Sequence, residues 1–268
     1  MEKIVRPWFV LLQHRRLVYA LSKHAIVSKY RTSWMGLLWP LMLPVLLIGV
    51  FSFVFGYIMP LKWVSESEID VSFSIFLFSG LVVFTFFSET VSRAPTLILE
   101  NINLVKKVVF PLEVISVSNV CVASVFFFIN LLVFAVFVSF NETGIGIIFI
   151  LYLGFIFPFF LFLVGLSWFL SSLSVYVRDV VHVISIAVSA LMFLSPVFYP
   201  IENAPDIVRM THLINPIAIL IESLRSLVFY GNVPSVEYWL MSWSMGLFVF
   251  YGGFFWFERT KKGFSDVI

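Results

Sequence analysis

The residues best able to do chemistry in this sequence are the ionisable ones beside its long apolar runs. Glu89 directly follows such a run, and Arg93 lies four residues later, the order and spacing at which a carboxylate and a cation pair on one helix face. Ionisable groups at membrane depth often belong to a substrate or proton pathway. A proton relay requires further acids inside the apolar runs, and the sequence has none there. We therefore predict a structural ion pair between Glu89 and Arg93.

Motifs for nucleotide, metal or covalent chemistry are missing from the sequence. It has no G-x-x-x-x-G-K phosphate loop, so we expect no ATP binding by that mechanism. No local Ser-His-Asp motif is present, although a triad assembled from distant positions stays open. The net charge of +2 is too small to indicate nucleic-acid binding. We therefore expect a chain that is not an enzyme and holds no cofactor. We also expect no metal, because metal-ligand spacing is absent among the four histidines, His14, His24, His182 and His212.

The composition is that of a membrane protein. Of 268 residues, 61% are hydrophobic and 12% are charged, and the mean hydropathy is +1.04. A soluble domain is about 45–50% apolar and about 25% charged. So much apolar surface has to face lipid or other membrane helices. No cleavable signal peptide is visible, so the first span is expected to act as its own insertion signal.

Residues 1–33 have the pattern of a helix that lies in the membrane interface. They contain seven Lys or Arg and one acid, Glu2, with apolar residues such as Trp8 and Phe9 at near-helical spacing. A basic helix with an aromatic and leucine-rich face tends to lie along the membrane surface. We predict an amphipathic interface helix here, and the alternative is a solvated basic flank.

Six apolar segments, charge-free apart from Glu89 near the end of the second, are predicted to cross the membrane and to form one domain, residues 34–257, followed by a tail at 258–268. The first has 25 residues without Asp, Glu, Lys or Arg, which at about 1.5 Å per residue suffices for a hydrocarbon core of about 30 Å. The fourth contains Pro158, where we expect a kink. The predicted fold class is therefore all-α and integral to the membrane. The six spans are 34–58, 71–92, 114–140, 146–176, 180–200 and 238–257.

The distribution of charge predicts that both termini are cytoplasmic. With six spans the two ends lie on one side, and that side then carries 14 of the 17 Lys and Arg residues. Such an excess is typical of cytoplasmic loops. The other side keeps Lys62, Arg209 and Arg225. It also holds eight acids, which are Glu66, Glu68, Asp70, Glu142, Glu202, Asp206, Glu222 and Glu237.

The connection between the fifth and sixth spans is long and still apolar. Asn215-Pro216 predicts a helix N-cap followed by proline in the first turn. Glu222 and Arg225 lie three residues apart on this helix and are expected to pair. We predict short re-entrant helices on the outward side, within residues 204–230.

Four short motifs stand in order along the chain. They are Tyr30-Arg31-Thr32-Ser33 with Gly36 and Leu38-Trp39-Pro40; Asn103 to Glu113 (NLVKKVVFPLE); Arg178-Asp179 with Ser195-Pro196-Val197-Phe198-Tyr199; and Asn215-Pro216 with Arg225, followed by the tail Phe264 to Ile268. Together they resemble the integral-membrane subunit of ABC-2 type polysaccharide exporters, which include the O-antigen, teichoic-acid and capsule exporters. Ser116 departs from this family, many of whose members have a proline nearby, and the start of the third span is left open.

The resemblance implies a homodimer bound to two copies of a separate ABC ATPase subunit, which would bind ATP and Mg. Segment Thr96–Lys107 resembles the family's coupling helix; an ordinary basic loop would explain its lysines but not Leu97 and Ile98. The residues implied in motor coupling are Glu100, Asn101, Leu104, Lys106 and Lys107. Those implied in an outward gate are Asn215, Pro216, Glu222 and Arg225.

The substrate implied by the resemblance is a polysaccharide on a polyprenyl pyrophosphate carrier, O-antigen in the first place, moved outward across the bacterial inner membrane. Its anionic head group requires cations at the cytosolic mouth, and guanidinium binds phosphate in a bidentate manner. Arg31 fits this role by its place before the first span, with Lys29 and Arg178 as further candidates; anchoring at lipid head groups is their alternative role. Capsule or teichoic-acid export, or export of another lipid or drug, stays open within the family. A channel, a secondary transporter and a membrane transferase are the alternatives outside it.

Overall fold

The computed structural model describes residues 2–31, 33–58, 73–105, 110–139 and 146–267, and every regular element in these ranges is helical. Some residues singled out in the sequence lie outside the described ranges, namely Thr32, Lys62, Glu66, Glu68, Asp70, Lys106, Lys107, Glu142 and Ile268. The helices are α1 (Glu2–Gln13), α2 (Arg15–Tyr30), α3 (Trp39–Phe53), α4 (Phe73–Arg93), α5 (Leu97–Glu100), α6 (Ile102–Val105), α7 (Glu113–Ser139), α8 (Gly146–Tyr176), α9 (Val180–Leu194), α10 (Asp206–Thr211), α11 (Pro216–Val228), α12 (Val236–Thr260) and α13 (Phe264–Val267).

Five helical segments of the described chain are long and apolar enough to cross a membrane. They are Trp39–Ile58, Phe73–Glu100, Glu113–Ser139, Leu151–Tyr176 and Val236–Gly263. The all-α, integral-membrane fold class is thereby confirmed. The fifth predicted span contains α9, whose 15 residues reach about 22 Å, short of a hydrocarbon core of about 30 Å. The six-span count therefore stays a prediction.

Proline residues act differently in α8 and α9. Helix α9 ends at Leu194, before the predicted boundary at residue 200, and Ser195 is extended with φ −94° and ψ 151°. The ring of Pro196 disfavours a helical conformation at the residue before it, which explains the early end. Helix α8, in contrast, continues without interruption through Pro158.

Helices α8 and α12 pack closely against each other, and glycines let the two backbones touch. A Cβ atom on Gly253 would overlap the carbonyl oxygen of Gly165, and one on Gly246 would overlap that of Pro158. Small residues permit this close approach between helices in a membrane, where dispersion contacts and not water exclusion drive their association.

Contacts between helix termini define two ends of the bundle. At the end that we call the Glu113 end, α8 and α12 finish together, and the Tyr176 hydroxyl donates to the Thr260 carbonyl oxygen at 2.7 Å. Helix α7 begins there, and α4 arrives there at its own C-terminus. The opposite end, which we call the Arg225 end, holds the start of α4, and Ser79 contacts Arg225 of α11 there.

Helix α3 is sparsely packed compared with α4. Of its 15 residues, Pro40, Pro44 and Ile48 are buried. The rest of this apolar surface faces outward, where it is available to lipid or to a second chain. Helix α2 lies against α7, and its Ser22 hydroxyl donates to the Ser118 carbonyl oxygen at 3.3 Å.

Candidate functional site

The Arg225 guanidinium is fully buried at its end of the bundle and joins α11 to the turn that follows α9. It donates to the backbone carbonyl oxygens of Pro196 at 2.6 Å, Val197 at 3.1 Å and Tyr199 at 3.2 Å. It also donates to the Glu222 carboxylate at 3.0 Å, and both side chains of this pair are buried. The pairing predicted from their spacing is confirmed.

Helix α4 also contacts the Arg225 guanidinium and the turn that follows α9. Arg225 Nε donates to the Ser79 hydroxyl at 3.2 Å, and the guanidinium lies 3.6 Å from the centre of the Phe76 ring. Gly80 approaches the turn so closely that a Cβ atom there would meet the Val197 carbonyl oxygen at 2.8 Å. All three guanidinium nitrogens are hydrogen bonded, so the charge of Arg225 is satisfied within the fold. We call this set the Arg225 cluster: Phe76, Ser79, Gly80, Pro196, Val197, Tyr199, Glu222 and Arg225.

Asn215 caps α11 and joins it to the same turn. Its side-chain oxygen accepts from the backbone N–H groups of Ile217 at 3.0 Å and Ala218 at 3.4 Å, so the predicted N-cap is confirmed, with Pro216 as the first helical residue. Its amide nitrogen donates to the Ser195 hydroxyl at 2.9 Å. Two motifs that are separate in the sequence, one beginning at Ser195 and the other at Asn215, therefore form one structural unit.

The prediction that Glu89 pairs with Arg93 is wrong. Glu89 pairs instead with Lys29 of α2 at 3.5 Å, and the Lys29 ammonium also lies 4.6 Å from the centre of the Phe126 ring. Arg93 approaches Glu100 of α5 at 3.9 Å. A pair four residues apart on a helix is worth only about 0.2–0.5 kcal/mol, so partners from neighbouring elements easily replace it.

Arg31 and Arg178 are exposed at the Glu113 end. Arg31 follows α2, and Arg178 lies in the turn between α8 and α9. Within the described residues neither forms an ion pair, and no hydrogen bond or ion pair links one to the other or to Lys29. The two guanidinium groups are consequently free to bind an anion from outside the chain, whereas the Lys29 ammonium already has an internal partner.

The turn from α2 to α3 explains the residue types of the first motif. Gly36 has a φ of +52°, a backbone conformation that costs glycine little. The Trp39 indole nitrogen donates to the Ser33 hydroxyl at 2.7 Å and closes the turn, and Pro40 occupies the first turn of α3. The turn holds Arg31 at the base of α3.

The predicted coupling segment folds as two short helices, α5 and α6, behind a 3₁₀ turn at Ala94–Thr96. Leu97 and Ile98 are buried, so the apolar residues of this segment anchor it to the bundle. Glu100 is exposed, and the Asn101 side chain donates to the Leu97 carbonyl oxygen at 2.9 Å. Lys106 and Lys107 lie outside the described residues.

A cavity of about 180 Å³ separates this segment from α2. Asn101 and Leu104 form one wall, His24 of α2 forms a second, and Ser118 and Asn119 of α7 form a third. The Asn119 amide donates to the Thr90 carbonyl oxygen at 3.1 Å, which links α7 to α4 beside the cavity. The segment therefore contacts α2 and α7 through the lining of a partly polar space.

A charged cluster that the sequence analysis missed lies at the start of α7. Lys261, just beyond α12, donates to the carboxylates of both Glu113 and Glu258, and Glu113 is buried. The Trp168 indole nitrogen donates to the Glu113 carbonyl oxygen at 2.9 Å. We call Glu113, Glu258 and Lys261 the Glu113 cluster. The end of the second motif is thus tied to the C-terminal tail. Helix α7 begins at Glu113, three residues before Ser116.

The two ends of the bundle differ in their charged groups. One end holds the Glu113 cluster and the exposed Arg178, and the other holds a fully bonded buried arginine that links α11 to α4. No group of three His, Cys, Asp or Glu that could hold a metal ion occurs in the part of the chain that the structure describes. The fold and these sites define a multi-pass, all-helical membrane protein.

The sequence profile of the ABC-2 type transporter family matches residues 16–229, and the chain belongs to that family. Two O-antigen export system permease proteins RfbA from Klebsiella pneumoniae are each 25% identical to it over 260 residues, which cover 94% of this chain and 95% of theirs. A protein of the same description from Myxococcus xanthus is 23% identical over an alignment of 277 residues that covers all of both chains. The family predicted from the four motifs is confirmed.

Proposed function

We propose that the chain is the membrane permease of an ABC exporter that moves O-antigen, linked to polyprenyl pyrophosphate, from the cytoplasmic to the outer side of the bacterial inner membrane. The observation that carries the proposal is the match, over nearly the whole chain, to three relatives described as O-antigen export permeases. The family match over residues 16–229 supports the transport class.

In this proposal the chain crosses the membrane six times, both termini are cytoplasmic, and the Glu113 end faces the cytosol. The support is the charge count, which gives that side 14 of the 17 Lys and Arg residues. Helices α10 and α11 then re-enter the outer leaflet as gate helices. The Arg225 cluster fixes α11 to α4, so a gate built from α11 moves together with the start of that span.

The working unit is a homodimer with two copies of a separate ABC ATPase subunit, which binds ATP and Mg and performs the hydrolysis. The sequence supports this division of labour because it has no phosphate loop. The sparsely packed α3 offers an apolar face that a second copy would cover. The segment from Thr96 to Lys107 receives the motion of the ATPase.

Arg31 and Arg178 bind the pyrophosphate head group of the substrate. Both are exposed, unpaired among the described residues and able to offer two parallel N–H donors to phosphate. Lys29 is a weaker candidate, because binding a phosphate there requires breaking its contact with Glu89. Binding of the substrate head group therefore depends mainly on Arg31 and Arg178.

The proposal is tested by surface display of O-antigen in a host whose copy of this gene is deleted and replaced by variants. We expect Arg31→Ala and Arg178→Ala to reduce surface glycan, and the double variant to abolish it, while the protein still reaches the membrane and still co-purifies with its ATPase. Arg209→Ala is the matched control, since Arg209 is an exposed arginine near the opposite end. Wild-type glycan from the double variant would remove the head-group role, and normal glycan in the deletion strain would remove the function itself.

Motor coupling is tested by Glu100→Ala and Leu104→Ala in the purified complex. We expect ATP hydrolysis to continue while its stimulation by substrate and the export of glycan both fall, because the contact with the ATPase is weakened. Asn103→Ala is the control, because Asn103 is exposed on α6 and is not among the residues proposed to transmit the motion. Unchanged stimulation and export in both variants would contradict the assignment of this segment.

A further inference from the structure

A groove of about 570 Å³ lies between helices α1 and α2 on one side and the first half of α7 on the other. None of its lining residues belongs to the Arg225 cluster, the Glu113 cluster or the segment from Ala94 to Val105. Its walls are mainly apolar, and the side chains that form them include Leu11, Val18, Ile26, Val117, Val125 and Phe160. We call it the α2–α7 groove. Water has few polar partners in such a space, so an apolar occupant is favoured.

Two cations line the same groove. Arg15 and Lys23 are both exposed, and with Tyr19 between them they stand at intervals of four residues along one face of α2. Among the described residues neither has an ion-pair partner, in contrast to Lys29 on the same helix. No Asp or Glu lines the groove. An apolar cleft with an uncompensated positive edge is complementary to a molecule with an acyl chain and an anionic head.

We propose that the α2–α7 groove binds one anionic phospholipid, with an acyl chain against α7 and the phosphate between Arg15 and Lys23. Guanidinium and ammonium groups donate charge-assisted hydrogen bonds to phosphate oxygens. The neighbouring side chains Phe9 and Leu12 are exposed apolar groups, 59% and 66% accessible, as expected of a helix pair that lies at the level of lipid head groups. Basic residues near an anionic leaflet attract its lipids.

The occupant is a bilayer lipid and not the transported glycan. The exposed arginines proposed to hold the substrate head group, Arg31 and Arg178, do not line the groove. The groove residues of α2 also lie on a different face from His24 and Ser28, which line the cavity beside the coupling segment. The lipid therefore fastens α2 to α7 without occupying the substrate's place, and the inference stands independently of which polymer is exported.

The test is native mass spectrometry of the full chain in a neutral detergent with added phosphatidylglycerol or phosphatidylcholine. We expect one phosphatidylglycerol to remain bound in preference to phosphatidylcholine. Arg15→Gln and Lys23→Gln should each weaken its binding roughly 5-fold, and the double variant roughly 30-fold. These factors correspond to about 1 kcal/mol of attraction to an anionic lipid surface for each basic residue. Arg16→Gln is the matched control, because Arg16 is adjacent and exposed but does not line the groove.

A second variant tests the groove without touching its charges. Val125→Trp should fill the apolar part and abolish lipid retention, whereas Val136→Trp, at a similarly exposed valine of α7 outside the groove, should not. Three results would each overturn the proposal. The first is an equal loss of lipid binding in Arg15→Gln, Lys23→Gln and the control Arg16→Gln. The others are equal binding of phosphatidylglycerol and phosphatidylcholine, and full lipid retention in Val125→Trp. Displacement of phosphatidylglycerol by equimolar polyprenyl phosphate would also overturn it, since the groove would then belong to the carrier lipid.

Discussion

The two ends of the bundle use arginine in opposite ways. At the Arg225 end one guanidinium is fully buried and all its nitrogens are bonded inside the chain. At the Glu113 end Arg31 and Arg178 are exposed and have no ion-pair partner in the described structure. A charge that is satisfied internally stabilises one arrangement of helices, whereas a charge left at the surface remains available to a ligand. Changes at the first end should therefore alter stability, and changes at the second should alter function.

The largest effect is expected for Arg225→Met. The substitution leaves the Glu222 carboxylate buried without its cation and removes the donors from three carbonyl oxygens. Breaking a buried pair by removing one partner costs about 3–5 kcal/mol. We expect the free energy of unfolding to fall by about that amount, measured by SDS titration in mixed micelles.

Two further variants sharpen this first prediction. Arg225→Met combined with Glu222→Gln should recover part of the loss, because no uncompensated charge remains buried. Arg209→Met should change stability by less than about 1 kcal/mol, since its ion pair with Asp206 is exposed. If the Arg225 and Arg209 variants were equally stable, the contrast between buried and exposed arginines would fail.

The Glu113 cluster tests whether the Glu113 end has a structural charge of its own. In Lys261→Met two carboxylates, Glu113 and Glu258, lose the cation that they share. Lys261 is partly exposed, so water offsets some of the penalty, and we expect a loss of about 2–3 kcal/mol in the same titration. Lys262→Met is the control, because Lys262 is the adjacent exposed lysine. Equal stability of the two variants would show that the C-terminal tail does not hold α7 in place.

Local patterns were sufficient to predict contacts between residues that are close together in the sequence. The cap at Asn215 and the pair of Glu222 with Arg225 depend on residues two to three positions apart, and a helix fixes such distances. The apolar runs likewise predicted the long helices. Even there Pro196 shortened α9, because the residue before a proline leaves the helical conformation.

Contacts between distant residues could not be predicted in this way. Ser79 lies 146 residues from Arg225, and Glu113 lies 148 residues from Lys261. No periodicity links such positions, since only the packing of whole helices brings them together. On α4, the adjacent Ser79 and Gly80 in an apolar span are the only local sign of its contact with Arg225.

A smaller effect is expected for Gly80→Ala. The new Cβ atom would lie 2.8 Å from the Val197 carbonyl oxygen and 2.9 Å from its Cα atom, so α4 and the turn must separate slightly. Overpacking of this kind costs about 1–3 kcal/mol. Gly49→Ala on α3 is the matched control, because nothing lies within 4 Å of a Cβ atom there. A variant at Gly80 as stable as the control would show that α4 does not fix the turn.

The smallest effect is expected for Lys29→Gln, which removes the pair with Glu89 at the Glu113 end. Both side chains are nearly half exposed, 47% and 44% accessible, and the charges are 3.5 Å apart. A pair so accessible to water contributes about 0–1 kcal/mol, so the unfolding titration should hardly change. Export should also stay close to wild type if Arg31 and Arg178 bind the head group, because Lys29 is already paired. A strong loss of export with unchanged stability would instead make Lys29 the principal cation and would reverse its ranking below the two arginines.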